Sequence, residues 1–63
     1  MPFVEVNMWQ GFDPVKKKKL IERITDVVVE VVDCPKHAVH IIIREVPKEN
    51  WADSGVQHSV SHK

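Results

Sequence analysis

The chain carries two hydrophobic periods in succession. Over residues 2–9 the period is two: Pro2, Val4, Val6 and Met8 share one side of an extended backbone, and Phe3, Glu5, Asn7 and Trp9 share the other. That alternation predicts a strand with one uniformly apolar face, suited to meet a helix, and one mixed face. Gln10-Gly11 ends it.

The period then changes. Apolar residues recur at Val15, Leu20, Ile21, Ile24, Val27, Val28, Val31 and Val32. This is helical spacing sustained for about five turns. Asp13-Pro14 supplies an N-cap followed by a proline at the first helical position. Asp33-Cys34-Pro35 supplies the stop, because a residue before proline avoids helical angles. A second strand follows from Ala38 to Val46. Its centre, Ile41-Ile42-Ile43, is apolar on both faces, as in a strand inside a sheet. Val39, Ile41 and Ile43 fall on one face, and His40, Ile42, Arg44 and Val46 on the other.

A helix of ~19 residues spans roughly 28 Å, and a strand of eight or nine residues roughly 27 Å. The lengths match, so the three elements close as a right-handed parallel β-α-β crossover. Residues 47–55 are turn-rich around one large aromatic, Trp51, and Val56 to Lys63 reads as a polar tail that frays. The expected class is α/β (α+β): one βαβ unit in a single domain, 1–63.

Size sharpens this picture. A 63-residue chain buries only about 60% of its unfolded surface and is marginal alone. Cys34 is the only cysteine, so no internal disulfide compensates. A lone thiol fits a reducing, cytoplasmic setting. Two strands under one helix leave a sheet face and both edges open, and pairing with further copies of the same chain is the natural remedy.

Charge changes the picture less. Nine basic residues balance nine acidic ones, for a net charge of zero, which argues against a dedicated nucleic-acid binder. Lys16 to Lys19 spread around the helix and read as a solvated face. No apolar run approaches a membrane span, and the N-terminus lacks a signal-peptide pattern. His37 and His40 point to opposite faces of a strand. His58 and His62 stand four apart, a spacing for one side of a helix, but lie in the tail without a third ligand. No metal site is expected.

One position offers chemistry. Pro2 follows the initiator methionine, and proline is small enough for cytosolic processing to remove a methionine before it. The free pyrrolidine amine is more basic than an ordinary α-amino group, which titrates near ~8. Burial in apolar surroundings disfavours its charged form. A neutral secondary amine near pH 7 is a competent general base and a candidate nucleophile towards carbonyls.

The ordered set resembles the 4-oxalocrotonate tautomerase family. The matching pieces are Met1-Pro2 before an alternating strand, Gly11 before an acidic helix cap, Leu20-Ile21 in the helix, the exit Asp33-Cys34-Pro35, the strand Val39 to Ile43 with Glu45 after it, and Trp51. The resemblance implies a βαβ protomer with a short C-terminal hairpin at Ala52-Asp53-Ser54-Gly55. It also implies sheets joined in dimers, a homohexamer built as a trimer of dimers, and no cofactor. It implies proton transfer within a small enol or 2-hydroxydienoate acid, with Pro2 as catalytic base. Two family arginines are replaced, one by Phe12 and one by His40. The family's wall phenylalanine is replaced by Trp51. Arg44, on the same strand face as His40, is a further substrate-binding candidate; the competing expectation for that side chain is a surface ion pair with a nearby carboxylate. Losing bidentate guanidinium donors points away from a dicarboxylate and towards a monocarboxylate or aryl enol acid. The competing expectation is a non-catalytic oligomeric scaffold that kept the fold and lost the arginines.

Overall fold

In the computed structural model, which describes residues 1–62, the first strand β1 (Phe3–Trp9) is followed by helix α1 (Pro14–Val28). Strand β2 (His40–Val46) lies parallel to β1, from Phe3 opposite His40 to Trp9 opposite Val46. α1 covers the face that carries Val4, Val6, Met8, Ile41 and Ile43, all half-buried. The side chains turned towards it, Lys17, Leu20, Ile24 and Val28, are half-buried as well. The period-two and helical readings therefore meet on one interface.

Asp13 caps α1 as its sequence predicts, with its Oδ1 accepting from the Lys16 amide at 2.8 Å and Pro14 at the helix start. The far end differs from expectation. The α-helix stops at Val28, and the coil widens into a π-helical turn over Val29–Asp33. The β-branched run Val27-Val28-Val29 coincides with this transition, consistent with crowding at χ1. Asp33 itself adopts a left-handed backbone, φ 60°, a conformation that aspartate tolerates better than most residues. The exit thus depends on Asp33 as well as on the proline after Cys34.

β2 begins later than the apolar pattern suggests. Lys36–Ala38 forms a 3-10 turn, so His37 is not a strand residue and the expected opposite-face relation of His37 and His40 does not arise. The lysine run is also less uniform than a solvated face. The Lys17 ammonium pairs with the Glu45 carboxylate on the helix-covered side, while Lys18 reaches Glu22 at 3.8 Å on the surface.

The largest departure is at the C-terminus, where a fraying tail is expected from Val56 onward and residues 56–61 form regular structure instead. After a 3-10 turn at Lys48–Asn50, β3 (Ala52–Asp53) and β4 (Val56–Gln57) pair antiparallel and lead into a single turn of helix, α2 (His58–Ser61). Ser54 and Gly55 link them with φ 52° and 77°, positive at both central positions, as a type I′ hairpin needs. The His58 amide donates to the Trp51 carbonyl at 2.7 Å and closes the unit. Lys63 lies outside the described residues. Among those described, no helix is long and apolar enough to cross a membrane.

Candidate functional site

Pro2 leads into β1 and is fastened through its own carbonyl, which accepts the His40 amide at 3.1 Å. The first residue of β2 is thus bonded to the proposed base. Pro2 is half-buried, whereas Met1 ahead of it is 89% exposed. The His40 side chain belongs to the strand face opposite α1, level with Phe3, and is exposed.

The other candidates lie elsewhere. Phe12, in the link between β1 and α1, lines an apolar cavity of about 200 Å³ together with Met8, Lys16, Lys17 and Leu20. Trp51 follows the Lys48–Asn50 turn and stacks on His58, ring centroids 5.9 Å apart. Both are associated with the C-terminal ends of the parallel strands. Pro2 and His40 stand at the N-terminal ends, roughly 20 Å away along the seven-residue β1 at ~3.3 Å per residue. Within one protomer, Pro2 is therefore not brought together with Phe12 or Trp51. Arg44 lies between them, level with Asn7. Its guanidinium donates to Glu5 at 2.7 Å in an ion pair exposed by about half on both sides (52% and 49%), so it is already partnered on the open sheet face.

Electrostatics concentrate behind the Phe12 link. Glu45 pairs with Lys17 and accepts the Gly11 amide at 3.2 Å. The Lys17 ammonium chiefly, with help from that amide and against some desolvation, holds the Glu45 carboxyl below the usual glutamate value of 4.5. These contacts tie the Phe12 link to the sheet. They also place a carboxylate near the helix N-terminus, where it offsets the lysines crowded there.

Two residues were missed as structural partners of the site. His58 is the one buried polar side chain among the described residues, 8% exposed. Trp9 Nε1–H donates to its Nδ1 at 3.0 Å. The available signal was the four-residue spacing of His58 and His62, which is helical. Read only as a metal pair in a tail without a third ligand, that spacing does not point to Trp9. Among the described residues no three His, Cys, Asp or Glu side chains converge in a manner able to hold a metal ion.

A model of the tautomerase enzyme family matches residues 2–60. The chain is 43% identical over 56 residues to 2-hydroxymuconate tautomerase of Comamonas testosteroni, covering 89% of each chain. It superimposes on a 4-oxalocrotonate tautomerase isozyme from Methylibium petroleiphilum with a TM-score of 0.92 at 34% identity, over 98% of this chain and 100% of that one. A heterohexamer 4-oxalocrotonate tautomerase from Chloroflexus aurantiacus aligns with a TM-score of 0.89 at 25% identity, covering 94% and 95%. With its βαβ architecture, its hairpin and a proline at position 2 all inside the matched span, the chain belongs to the 4-oxalocrotonate tautomerase family of tautomerase enzymes.

Proposed function

We propose that this chain, once Met1 is removed, is an isomerase that moves a proton within a small enol or 2-hydroxydienoate acid, with the Pro2 amine as general base. The observation that carries the reading is the family match over residues 2–60 with a proline leading into β1. The exposure of Met1 (89%) leaves the bond to Pro2 open to processing. The neutral amine takes the enol hydroxyl proton, the double bonds shift along the conjugated acid, and the prolinium returns the proton to carbon. The proton lost from oxygen is the one gained by carbon. The labile proton is acidified by the adjacent carbonyl, so no cofactor enters these steps.

Recognition departs from a doubly charged substrate. Phe12 and Trp51 present apolar surface, and His40, whose amide is bonded to the Pro2 carbonyl but whose side chain stands on the opposite sheet face, is the candidate to receive a carboxylate in an assembled site. Arg44 would first have to leave Glu5, from 2.7 Å. Removal of one oxyanion donor commonly costs ~3 kcal/mol, so an aryl or monocarboxylic enol acid suits this set better than 2-hydroxymuconate. Since Phe12 and Trp51 lie at the opposite strand ends from Pro2, a complete site takes walls from a second copy. The assembly proposed is a homo-oligomer, with the six-chain arrangement of the Chloroflexus heterohexamer as its pattern.

The test compares turnover of phenylenolpyruvate and 2-hydroxymuconate by processed protein and by Pro2→Ala. We expect phenylenolpyruvate to be preferred and Pro2→Ala to lose at least ~100-fold, the usual share of a positioned base. Equal rates would eliminate Pro2 from the mechanism. No rate above background in either sample, with Met1 retained by mass spectrometry, would leave the non-catalytic scaffold.

A further inference from the structure

The contacts of His58 define its protonation state. The Trp9 indole nitrogen can only donate, and it sits 3.0 Å from His58 Nδ1. Nδ1 must therefore carry a lone pair. The ring proton is then on Nε2, which lies 2.7 Å from Asp53 Oδ2 and donates to it. On one side the imidazole stacks on Trp51, interplanar angle 24°. Towards the other tryptophan it stands edge-on, centroids 5.2 Å apart at 86°. Three residues converge on this ring: Trp9 of β1, 49 positions away, and from the C-terminal unit itself Trp51 and Asp53 of β3.

From this we infer that His58 is a positioning residue, a clamp that holds Trp9 and Trp51 as one rigid aromatic surface and does so only as the neutral Nε2–H ring. A second proton would sit on Nδ1 and face the Trp9 N–H, donor against donor, so the Trp9 bond would be lost. The titratable groups around the ring are Asp53 on Nε2, His62, ring centroids 4.5 Å apart, and the Lys48 ammonium, 4.6 Å above the Trp9 ring. Acid therefore opens the clamp and loosens the C-terminal unit on β1, where the Trp9 ring still meets His62 and Lys48. The consequence for turnover rests on the proposed role of Trp51 as a substrate wall; the clamp itself does not.

The chain has four histidines and two tryptophans, few enough to assign individually by NMR. In ¹⁵N-labelled protein at neutral pH, the His58 ring should show the Nε2–H tautomer alone, and the Trp9 indole N–H should exchange slowly. On acidification that protection should vanish with the same midpoint as the His58 ring titration. In His58→Asn, whose Oδ1 can accept from Trp9 but cannot gain a proton, protection should persist through the same range. With phenylenolpyruvate, His58→Ala should raise KM about tenfold, the worth of one lost hydrogen bond, at unchanged kcat, and His58→Asn should recover most of that rise. A tautomer-averaged His58, or a Trp9 N–H indifferent to His58 titration, overturns the clamp whatever the kinetics. An inactive Pro2→Ala alongside an active wild type keeps the catalytic reading intact in that event. Equal Pro2→Ala and wild-type rates remove that reading while the NMR result still decides the clamp.

Discussion

Glu45 shows how one side chain can serve both packing and charge balance. Its carboxylate meets the Lys17 ammonium and the Gly11 amide, and its titration is pulled downward. A folded-state value below the unfolded one means the ionised form is favoured by folding. That contribution is present above the usual glutamate value of 4.5 and is lost as pH falls from there through the lower folded value. Glu45→Gln should therefore melt below wild type at pH 7. The gap between the two melting temperatures should close on acidification below about pH 4.5. A gap that stays constant down to pH 3 would contradict the assignment. Arg44 makes the opposite point. Its pair with Glu5 is exposed, and such pairs contribute about 0–1 kcal/mol, so Arg44→Ala should shift the melting temperature little.

At the scale of elements, the hairpin is the least conventional piece. Its two-residue link places both Ser54 and Gly55 at positive φ. Glycine accepts this freely, whereas serine does so less readily than asparagine. A Cβ added at Gly55 would meet nothing within 4 Å, so Gly55→Ala isolates the backbone term. We expect it to cost ~1 kcal/mol, and Ser54→Asn to gain ~0.5 kcal/mol, both read from chemical denaturation midpoints. If Gly55→Ala were neutral, the left-handed turn would be wrong. The helix exit obeys the same logic, with Asp33 in the left-handed region after a π-helical turn.

The whole molecule is too open to account for its own stability. Its radius of gyration is 14.7 Å, with extents of 42 × 25 × 14 Å; a compact chain of this length has about 10.6 Å. It exposes 4916 Å², where a compact monomer of its mass exposes about 4200 Å². Phe3 and Ile42 on the open sheet face, and Val27, Val31 and Val32 along the helix, remain uncovered. Only Ala38 is buried among the apolar residues described. We expect the melting temperature to rise with protein concentration, sedimentation to exceed that of a 7.3 kDa monomer, and Val31→Asp to weaken both. A concentration-independent transition of a sedimenting monomer would defeat the shared-site proposal along with the assembly.

β1, most of β2, the start of α1 with its aspartate cap, and the apolar face that β1 turns to the helix were legible in the order of residues, because period and capping are local properties of the backbone; β4, α2 and the uncovered valines of the helix were not. The proposal for position 2 rests on local information of the same kind, since which residue follows the first methionine is read from the sequence alone. The clamp around His58 was not legible. Trp9 and His58 lie 49 positions apart, and only the fold decides that they meet. The same holds for the distance between Pro2 and Trp51. Their residue types are visible in the chain, but a parallel pairing, with its register running from Phe3–His40 to Trp9–Val46, sends them to opposite ends. Local preference determined the elements; long-range contact, which no short window contains, decided which side chains share a surface.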